Sequence, residues 1–478
     1  MGRGEEGRLR RDTHAARGVG RWWIGRNTDA PGECGVSLSV IWHSAPAFYG
    51  TGYGVQTRNF VVRMIDDGHE VVVMSTVSLM GFTWNGITHI PGGGEKYAAQ
   101  GMLEWPKRVK TDILFTLFDI WPFPMNMAEK IGQYGTAWAP IAPVDHDPIP
   151  QEVVDRLKLA PYPIAMSPHG YREMKRVGLD RATYIPHGVD TQVFRPRKPN
   201  KAMFRVSDDT FVVGVIATNI EPLDRKGWYP TLAAFGKFHE KHPNSIIYCH
   251  ASPVRDDGGL DLLKIAESFG FKLHAPDMWT LTAGLPDLKM VELYNSFDVM
   301  MLLTRGEGFC VPLIESQACG VPVITTDFTA PADLVGAGWK IPSLGTRYTP
   351  MNSFWGEPDI DAGARALEEC YALWETKKLK EEMAVKARAF AKQYDFDVIH
   401  KTHMRPFLAK VEDELREKRE TEAAKGNGRV REETPAEQGR GIHRGEQRPP
   451  GSNGRGGGGQ KHSPRQRRRH GVRQGVSP

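Results

Sequence analysis

The chain has 478 residues, of which 40% are hydrophobic, and it can therefore bury two substantial hydrophobic cores. Its formal net charge of +5 is concentrated at the ends, because residues 1–36 carry +2 and residues 421–478 carry +8, which leaves the intervening chain mildly acidic. No run approaches the roughly 18 apolar residues of a membrane-spanning helix, which excludes an integral helical membrane protein and predicts a cytoplasmic protein, peripheral at most to a membrane.

Two terminal segments differ from the rest in composition. Residues 1–36 are rich in Gly and Arg with little periodicity, and residues 421–478 form a basic low-complexity tail, so both are predicted to be disordered. For the tail, one hypothesis is weak nonspecific contact with nucleic acid or an anionic membrane, and the other is a dispensable solvated segment. The five cysteines form no CxxC pair and no zinc-ligand spacing, which predicts a reducing compartment.

Between the ends, the chain opens with a strand, a helix and a second strand. Residues 37–43 have the apolar pattern of a strand, residues 49–54 form a glycine-rich loop that includes Gly52, and residues 55–65 have helical spacing. Residues 70–75 then have the pattern of the next strand. This order predicts a βαβ unit, in which the glycine-rich turn either faces a ligand or simply lets the helix pack closely on the sheet.

Titratable residues follow a later strand of the same region. Residues 113–118 and 137–142 are apolar runs of strand length, and the second run is followed by Asp145, His146 and Asp147. Because ligands bind at the carboxyl ends of parallel strands, this loop is a candidate site. An alternative interpretation is that Asp145 and Asp147 form a DxD clamp for Mg²⁺ or Mn²⁺. The pair of glutamates farther along the chain argues against this alternative.

Two adjacent cations follow the first strand of the second half. Residues 211–217 form an apolar run, and the loop after it carries Arg225 and Lys226. Cations fixed beside a departing diphosphate stabilise its developing charge more in the transition state than in the ground state. The two residues therefore suit a diphosphate, and the alternative is a solvated pair in a polar loop.

The most informative segment joins two further predicted strands. Residues 299–304 and 321–325 are apolar runs, Gly306 and Gly308 predict a tight turn between them, and Pro312 suits the first turn of a helix. The segment thus predicts a strand, loop, helix and strand of a parallel sheet. The start of such a helix offers unpaired N–H groups and positive dipole, both suited to a phosphate.

Two carboxylates, Glu307 and Glu315, lie on either side of this turn. They would repel a phosphate unless they face sugar hydroxyls, and a glutamate that accepts two hydrogen bonds from a diol is a common way to hold a ribose or a hexose. The pair therefore suggests a sugar nucleotide. Taken singly, Glu315 is equally an ordinary carboxylate at a helix start and Glu307 a solvated loop residue.

The segment from Glu307 to Glu315 resembles the E-x7-E signature of retaining glycosyltransferases of family 4. The resemblance extends to the Gly-Val-Asp at residues 188–190 and the Phe-x-Pro that follows, which are similar to the family's interdomain linker. The chain departs from the family at residues 218–219, which are Thr-Asn where the family often has Gly-Arg, and at Asp333, where the family usually has Glu.

This family has the GT-B fold, an α/β architecture in which two Rossmann-like domains face a central cleft. The resemblance implies an acceptor-side domain over residues 37–200 and a nucleotide-sugar-binding domain over residues 201–395. It also implies a helix over residues 396–420 that crosses back to the first domain. The segments 1–36 and 421–478 complete the predicted organisation as disordered ends.

The resemblance also implies a function. The expected enzyme is a hexosyltransferase that moves a sugar from a nucleotide-diphosphate donor to a hydroxyl of a glycan, lipid or small molecule, with retention and without a metal or cofactor. The resemblance implies catalytic roles for Glu307, His146 and Asp145, and donor-binding roles for Arg225, Lys226, Glu315, Gly306, Gly308, Phe309 and Gly52. A sugar-nucleotide epimerase, a phosphorylase and an inactive sugar-nucleotide-binding protein are alternatives on the same fold. The base, the sugar and the acceptor stay open.

Overall fold

The computed structural model describes residues 37–254 and 258–432, and these form two mainly parallel sheets flanked by helices. The predicted α/β class is confirmed. The predictions for residues 1–36, and for the part of the basic tail beyond residue 432, lie outside the described residues. The predicted domain boundaries stay predictions.

The first sheet has eight strands. They are β1 (Ser39–Ser44), β2 (Glu70–Ser75), β3 (Phe82–Trp84), β4 (Ile87–Pro91), β5 (Ile113–Thr116), β6 (Ala137–Ala142), β7 (Ile164–Ala165) and β8 (Thr183–Tyr184). The helices between them are α1 (Gly52–Asp66), α2 (Ala99–Arg108), α3 (Met127–Gly132), α4 (Gln151–Leu159) and α5 (Pro168–Arg176). The spatial order is β3-β4-β2-β1-β5-β6-β7-β8, and each neighbouring pair is parallel except β3 with β4.

The second sheet has five parallel strands in the order β10-β9-β11-β12-β13. Their bounds are β9 (Phe211–Ile216), β10 (Ser245–His250), β11 (Val299–Leu302), β12 (Val323–Thr326) and β13 (Gly338–Ile341). The helices of this region are α6 (Trp228–His239), α7 (Leu262–Ser268), α8 (Met278–Ala283), α9 (Asp287–Asn295), α10 (Val311–Ala318) and α11 (Thr329–Asp333). In each sheet, the carboxyl ends of the parallel strands therefore lie at the same edge, where the connecting loops collect.

A hairpin and four helices follow the second sheet. The hairpin consists of β14 (Ser343–Tyr348) and β15 (Phe354–Pro358), which pair antiparallel, and the pattern of apolar residues did not predict it. The helices are α12 (Ile360–Glu375), α13 (Ala384–Ala391), α14 (Phe396–Ile399) and α15 (Arg405–Glu432). Residues 421–432 are thus helical, although disorder was predicted from residue 421. No helix within the described part of the chain is long and apolar enough to cross a membrane.

Burial on both faces explains why the central strands were recognisable. All six residues of β1 and all six of β9 are buried, as are the four residues of β11 and the four of β12. A parallel sheet covered by helices on both sides has no polar face, so its strands become continuous apolar runs. The largest fully buried side chains are Trp42 and Trp138 near the first sheet and Trp228 and Tyr294 near the second.

The chain segment after β8 connects to the last helices through backbone hydrogen bonds. The Val189 N–H donates to Tyr394 O at 2.9 Å, and the Phe396 N–H donates to Val189 O at 3.2 Å. The side chain of Gln56, on α1, makes two hydrogen bonds of 2.9 Å with the backbone of Gly188. Beyond this junction the part of α15 that ends at residue 420 contacts the segment before β7, where Glu414 accepts a hydrogen bond from Tyr162 at 2.6 Å.

One guanidinium holds three carbonyl groups at this junction. Arg388 on α13 donates to the carbonyl oxygens of Phe194 at 2.6 Å, Ala318 at 2.8 Å and Thr191 at 2.5 Å. We expect Arg388→Leu to lower the free energy of unfolding by about 2–4 kcal/mol, because it leaves part-buried acceptors without their donor. Chemical denaturation measures this, with Lys386→Leu on an exposed face of α13 as the control. Equal stability of the two variants would contradict the role of Arg388.

Candidate functional site

Four of the predicted site residues meet at the carboxyl ends of both sheets. The loop after β11 carries Glu307, the loop after β9 carries Arg225 and Lys226, and the loop after β6 carries Asp145. Ion pairs link all four side chains. We call this group the charged cluster. The structure therefore brings together residues that are up to 162 positions apart in the sequence.

Glu307 is the centre of the charged cluster. Its side chain is only 7% exposed, and it accepts hydrogen bonds from Lys226 Nζ at 2.7 Å and from Arg225 Nη1 at 3.2 Å. Its backbone N–H donates to Thr329 Oγ1 at 3.1 Å, which fixes the loop. Burial acts to raise the pKa of this carboxyl, but the charges of Lys226 and Arg225 outweigh burial, so the net pKa lies below the ordinary glutamate value. Glu307 is therefore ionised at neutral pH.

Arg225 joins three carboxylates. Its Nε and Nη2 donate to the two carboxylate oxygens of Glu221 at 3.0 and 2.7 Å, and its Nη1 also donates to Gly306 O at 3.1 Å. Asp145 Oδ2 lies 3.7 Å from Arg225 Nε. Glu221 was not predicted as a site residue, and its signal was its position four residues before Arg225 in the same loop. The guanidinium is thus saturated by anions in this arrangement.

Asp145 and His146 play different parts. His146 Nδ1 and Asp145 Oδ1 are 2.7 Å apart, and His146 Nε2 lies 2.9 Å from Thr349 Oγ1, in the turn of the β14–β15 hairpin. The His146 side chain is 4% exposed, whereas that of Asp145 is 27% exposed. Burial acts to raise the pKa of Asp145, but the hydrogen bond from His146 and the charge of Arg225 lower it below the ordinary value. Asp145 therefore faces the charged cluster as an anion.

Gly306 and Gly308 lie where the loop after β11 touches the loop after β6. A Cβ built on Gly306 would lie 2.1 Å from Asp145 O, and one built on Gly308 would lie 2.6 Å from Pro143 Cβ. No side chain fits at either position unless the loops separate. The donor-binding role of these glycines stays a prediction, and the structure shows in addition that they give room for another part of the chain.

Two other predicted residues lie outside the charged cluster. The Phe309 side chain is buried, with its ring centroid 5.3 Å from that of His187 and 5.9 Å from that of Tyr394. Gly52 is the exposed first residue of α1, and a Cβ built on it would meet no atom within 4 Å. Neither environment itself demands the residue type, and the donor-binding roles of both stay predictions.

The charged cluster also affects the pKa values of two residues that the site prediction omitted. Burial, followed by the charge of Asp119, raises the pKa of Tyr53 well above its ordinary value, and Asp145 and Glu307 act in the same direction. Burial, followed by the charge of Asp145, raises the pKa of Asp119 to about 6. Asp119 directly follows the predicted strand at residues 113–118, which is the same signal that identified Asp145.

Glu315 occupies a separate cavity. It is buried near the start of α10 and accepts a hydrogen bond from the Tyr294 hydroxyl at 2.7 Å. The cavity has a volume of about 150 Å³, and α1, α9 and the segment around Asp190 line it. At the cavity, Arg58 on α1 donates to both carboxylate oxygens of Asp287 on α9, at 3.2 and 2.9 Å. Burial raises the pKa of Glu315 to about 7.

The two carboxylates of the DxD alternative face different partners. Asp145 is directed to His146 and Arg225, while Asp147 Oδ1 lies 3.8 Å from Arg176 Nη2. Across residues 37–254 and 258–432, no group of three or more His, Cys, Asp and Glu side chains is placed to hold a metal ion. The loop between β6 and α4 is therefore organised by ion pairs within the protein.

Both departures from the family pattern have structural partners. The amide of Asn219 donates to Ser252 O at 3.0 Å and Leu260 O at 2.7 Å and accepts from the Leu260 N–H at 2.9 Å, so it closes a loop. The Asp333 carboxylate on α11 accepts two hydrogen bonds from Arg172 on α5, at 3.0 and 2.9 Å. Arg225 lies six residues after position 219 in the same loop, and its taking over the role of the family's arginine stays a prediction.

Comparison with known proteins finds a family match within the second half of the chain. Residues 271–383 match the family described as glycosyl transferases group 1. A D-inositol 3-phosphate glycosyltransferase of Acidothermus cellulolyticus is 29% identical over 153 residues, which are 30% of this chain and 33% of that protein. One of the same name from Paenarthrobacter aurescens is 27% identical over 161 residues, 31% of this chain and 36% of that protein. The chain thus matches about a third of the length of these curated relatives.

Solved structures share the fold over most of the chain. Sucrose-phosphate synthase from Thermosynechococcus elongatus superposes with a TM-score of 0.60 at 14% identity, over 78% of this chain and 99% of that one. Anabaena Alr3699/HepE in complex with UDP-glucose superposes with a TM-score of 0.57 at 12% identity, over 78% and 100%. The resemblance found in the glutamate motif is confirmed: residues 271–383, which include both glutamates, match the glycosyl transferases group 1 family, and the chain has the GT-B fold.

Proposed function

We propose that this protein is a retaining hexosyltransferase that moves a sugar from a nucleotide-diphosphate donor to a hydroxyl acceptor. The observation that carries the proposal is the buried carboxylate of Glu307, held between Lys226 and Arg225 at the carboxyl end of the second sheet. The family match to residues 271–383 supports it. The names of the relatives, which are glycosyltransferases, and the UDP-glucose complex of a protein with the same fold support a nucleotide sugar as donor.

Charge balance explains how the cluster would take a diphosphate. The two cations face three carboxylates, those of Glu307, Glu221 and Asp145, so the cluster has no spare positive charge for a phosphate. A bound diphosphate must therefore replace Glu307 as the partner of Lys226 and Arg225. The released carboxylate then accepts hydrogen bonds from hydroxyls of the donor sugar, which restores its lost partners.

The same arrangement suits the chemical step. The bond between the anomeric carbon and the diphosphate breaks, and a new bond to the acceptor oxygen forms on the same face. The departing diphosphate oxygen takes the proton of the acceptor hydroxyl. Lys226 and Arg225 stabilise the negative charge that develops on the diphosphate, which is the role that a metal ion would otherwise fill. We therefore propose that transfer needs neither a metal nor a cofactor.

Glu315 is proposed to hold the ribose of the donor. Its buried carboxyl has one hydrogen-bond donor, Tyr294, and it lines a cavity that a diol could enter. The cavity of about 150 Å³ is smaller than the roughly 300 Å³ or more of typical ligand pockets. Nucleotide binding on this scheme requires α1 and α9 to separate at the Arg58–Asp287 ion pair, which spans the two.

The remaining parts of the proposal concern setting and acceptor. Four cysteines in the described part of the chain, Cys249, Cys310, Cys319 and Cys370, are buried and free, which suits the reducing cytoplasm. The acceptor is a hydroxyl compound whose identity the site leaves open.

A panel of UDP, GDP and ADP titrated into the full chain by calorimetry tests the donor proposal, with binding of one nucleotide as the expected result. Binding of none would refute it.

The first prediction from the proposed function concerns the diphosphate. Lys226→Ala is expected to weaken binding of the preferred nucleoside diphosphate about 10- to 100-fold, because it removes a charge-assisted hydrogen bond, and to leave the parent nucleoside unaffected. Calorimetric titration measures both. The control is Lys237→Ala, which alters an exposed lysine near the end of α6. Equal weakening of nucleoside and diphosphate would indicate disturbed folding instead of a lost phosphate contact.

The second prediction concerns the sugar. Glu307→Gln is expected to lower turnover about 100-fold, because an amide cannot replace the charge that the transition state requires. Affinity for the nucleoside diphosphate should stay the same or rise, because Lys226 and Arg225 lose the competing carboxylate. Transfer assays and titration of the same preparation measure the two effects. Undiminished turnover would remove Glu307 from the catalytic group.

The third prediction concerns pH. The pKa of Glu315 is about 7, so the carboxyl is protonated below that pH and ionised above it, and only the ionised form accepts two hydrogen bonds from a diol. Nucleotide affinity should therefore rise between about pH 6 and about pH 8 in the unaltered protein.

Glu315→Gln supplies the control for this prediction. It should bind nucleotide more weakly at pH values above about 7 and lose this part of the pH dependence. Comparing the two proteins at each pH cancels the titration of the nucleotide itself. Parallel pH curves would show that Glu315 does not contact the ligand.

A further inference from the structure

The β14–β15 hairpin links the loops of the two sheets. It follows β13 of the second sheet, yet it hydrogen-bonds to the loop after β6 of the first. The Asp147 N–H donates to Phe354 O at 3.2 Å, and the Ser353 hydroxyl donates to Pro148 O. The residues in contact are about 200 positions apart in the chain, so no local sequence pattern predicts the contact.

The base of the hairpin is fixed to the loop that carries Glu307. The Gly356 N–H donates to Arg305 O at 2.9 Å, and Glu357 accepts from the guanidinium of Arg305. Trp355 lies between the two loops, with its ring centroid 5.2 Å from that of His146. A Cβ built on Gly306 would lie 2.8 Å from Trp355 Cδ1. The hairpin therefore packs against both loops of the charged cluster at once.

Thr349 is the hairpin residue that reaches the predicted catalytic loop. Its Oγ1 lies 2.9 Å from His146 Nε2, 3.1 Å from the carbonyl oxygen of Ser353, and accepts from the Met351 N–H at 3.3 Å. The turn of the hairpin thus holds the hydroxyl in place, and the hydroxyl in turn holds the imidazole. Thr349 itself is buried.

Both ring nitrogens of His146 are engaged within the protein. Nδ1 faces Asp145 Oδ1 at 2.7 Å, and Nε2 faces Thr349. Nδ1 must carry a proton to bond the carboxylate, and Nε2 shares a hydrogen bond with the Thr349 hydroxyl. No nitrogen is left for a substrate, whereas Asp145 Oδ2 points toward Arg225. The two candidates of this loop therefore have separate roles.

We propose that Thr349 is a positioning residue that acts through His146 to hold Asp145 in the charged cluster, and that Asp145 is the group of this loop that meets the transferred sugar. The proposal rests on the hexosyltransferase function proposed above. A misplaced carboxylate beside the reacting centre costs turnover while donor binding, which depends on Lys226 and Arg225, continues. The expected signature is thus a loss of kcat at unchanged donor KM.

The activity test compares two substitutions at Thr349. Thr349→Val keeps the shape and removes the hydroxyl, and we expect it to lower kcat about tenfold with donor KM unchanged. Thr349→Ser restores the hydroxyl and should return kcat to within about twofold of the unaltered protein. Tyr348→Phe is the matched control, because it removes an exposed hydroxyl of the same hairpin that donates to Asn352 Oδ1. Equal kcat values for the Val and Ser variants would overturn the proposal.

A double variant tests whether Thr349 acts through His146. His146→Phe removes the partner, and adding Thr349→Val to it should then lower kcat no further, because the route to Asp145 is already broken. A second full loss in the double variant would overturn the proposed route. Chemical denaturation of all variants checks that each is folded at the assay temperature.

A readout without turnover separates this inference from the proposed function. In protein labelled with ¹⁵N-histidine, the His146 ring resonances, assigned from their absence in His146→Phe, should shift in Thr349→Val and return in Thr349→Ser. Unshifted resonances in Thr349→Val would overturn the positioning role even in an active enzyme. If the unaltered protein binds nucleotide sugars but transfers none, the proposed function fails and the catalytic role of Asp145 fails with it, while shifted resonances would still support the contact between Thr349 and His146.

Discussion

The ion pairs of Glu307 are the interaction on which the site depends. Removing a carboxylate from water costs several kcal/mol unless opposite charge and hydrogen bonds replace the lost hydration. Glu307 is buried, and Lys226 and Arg225 supply both replacements. The loop after β9 is therefore held against the loop after β11. Arg225 extends the network to Asp145, so one buried charge fixes loops from both sheets.

Steric complementarity acts at the same place as charge. The absence of side chains at Gly306 and Gly308 allows the loop after β11 to lie against the backbone of Pro143 and Asp145. Any Cβ at these positions would move Asp145 away from Arg225 and weaken the ion pair. The glycines thus serve the contact between the two halves, independently of any phosphate. The charge attracts the loops, and the glycines let them approach.

The sequence was informative where burial is uniform. Strands buried on both faces are continuous apolar runs, so β9 and β11 could be located from these runs, and the loops after them contained Arg225 and Glu307. The GT-B fold itself followed from the spacing of the two glutamates, as a resemblance. The site was only partly foreseen, because its residues come from loops whose relative placement no local pattern encodes.

The hairpin and Asp119 illustrate this limit. The residues of β14 are mostly exposed or half-buried and carry no apolar repeat, and the partner of Thr349 lies 203 positions earlier in the chain. Asp119 followed a predicted strand as clearly as Asp145 did, yet only the fold shows that burial and the nearby Asp145 raise its pKa. A position just after a strand identifies candidate site residues, and tertiary contacts decide which of them lie near the charged cluster.

The charge balance of the cluster also bears on whether the site prefers the intact donor or its product. With Glu307 paired to both cations, neither the diphosphate nor the sugar has a free partner in this arrangement. A ligand that carries only a diphosphate takes the cations and leaves a buried carboxylate without its two charged partners, which is costly. A nucleotide sugar satisfies both sides, because its hydroxyls supply the donors that Glu307 has lost. The diphosphate displaces Glu307 from the two cations, and the sugar of the same donor supplies Glu307 with new hydrogen-bond donors. Under the proposed function, the cluster thus favours the intact donor over its product.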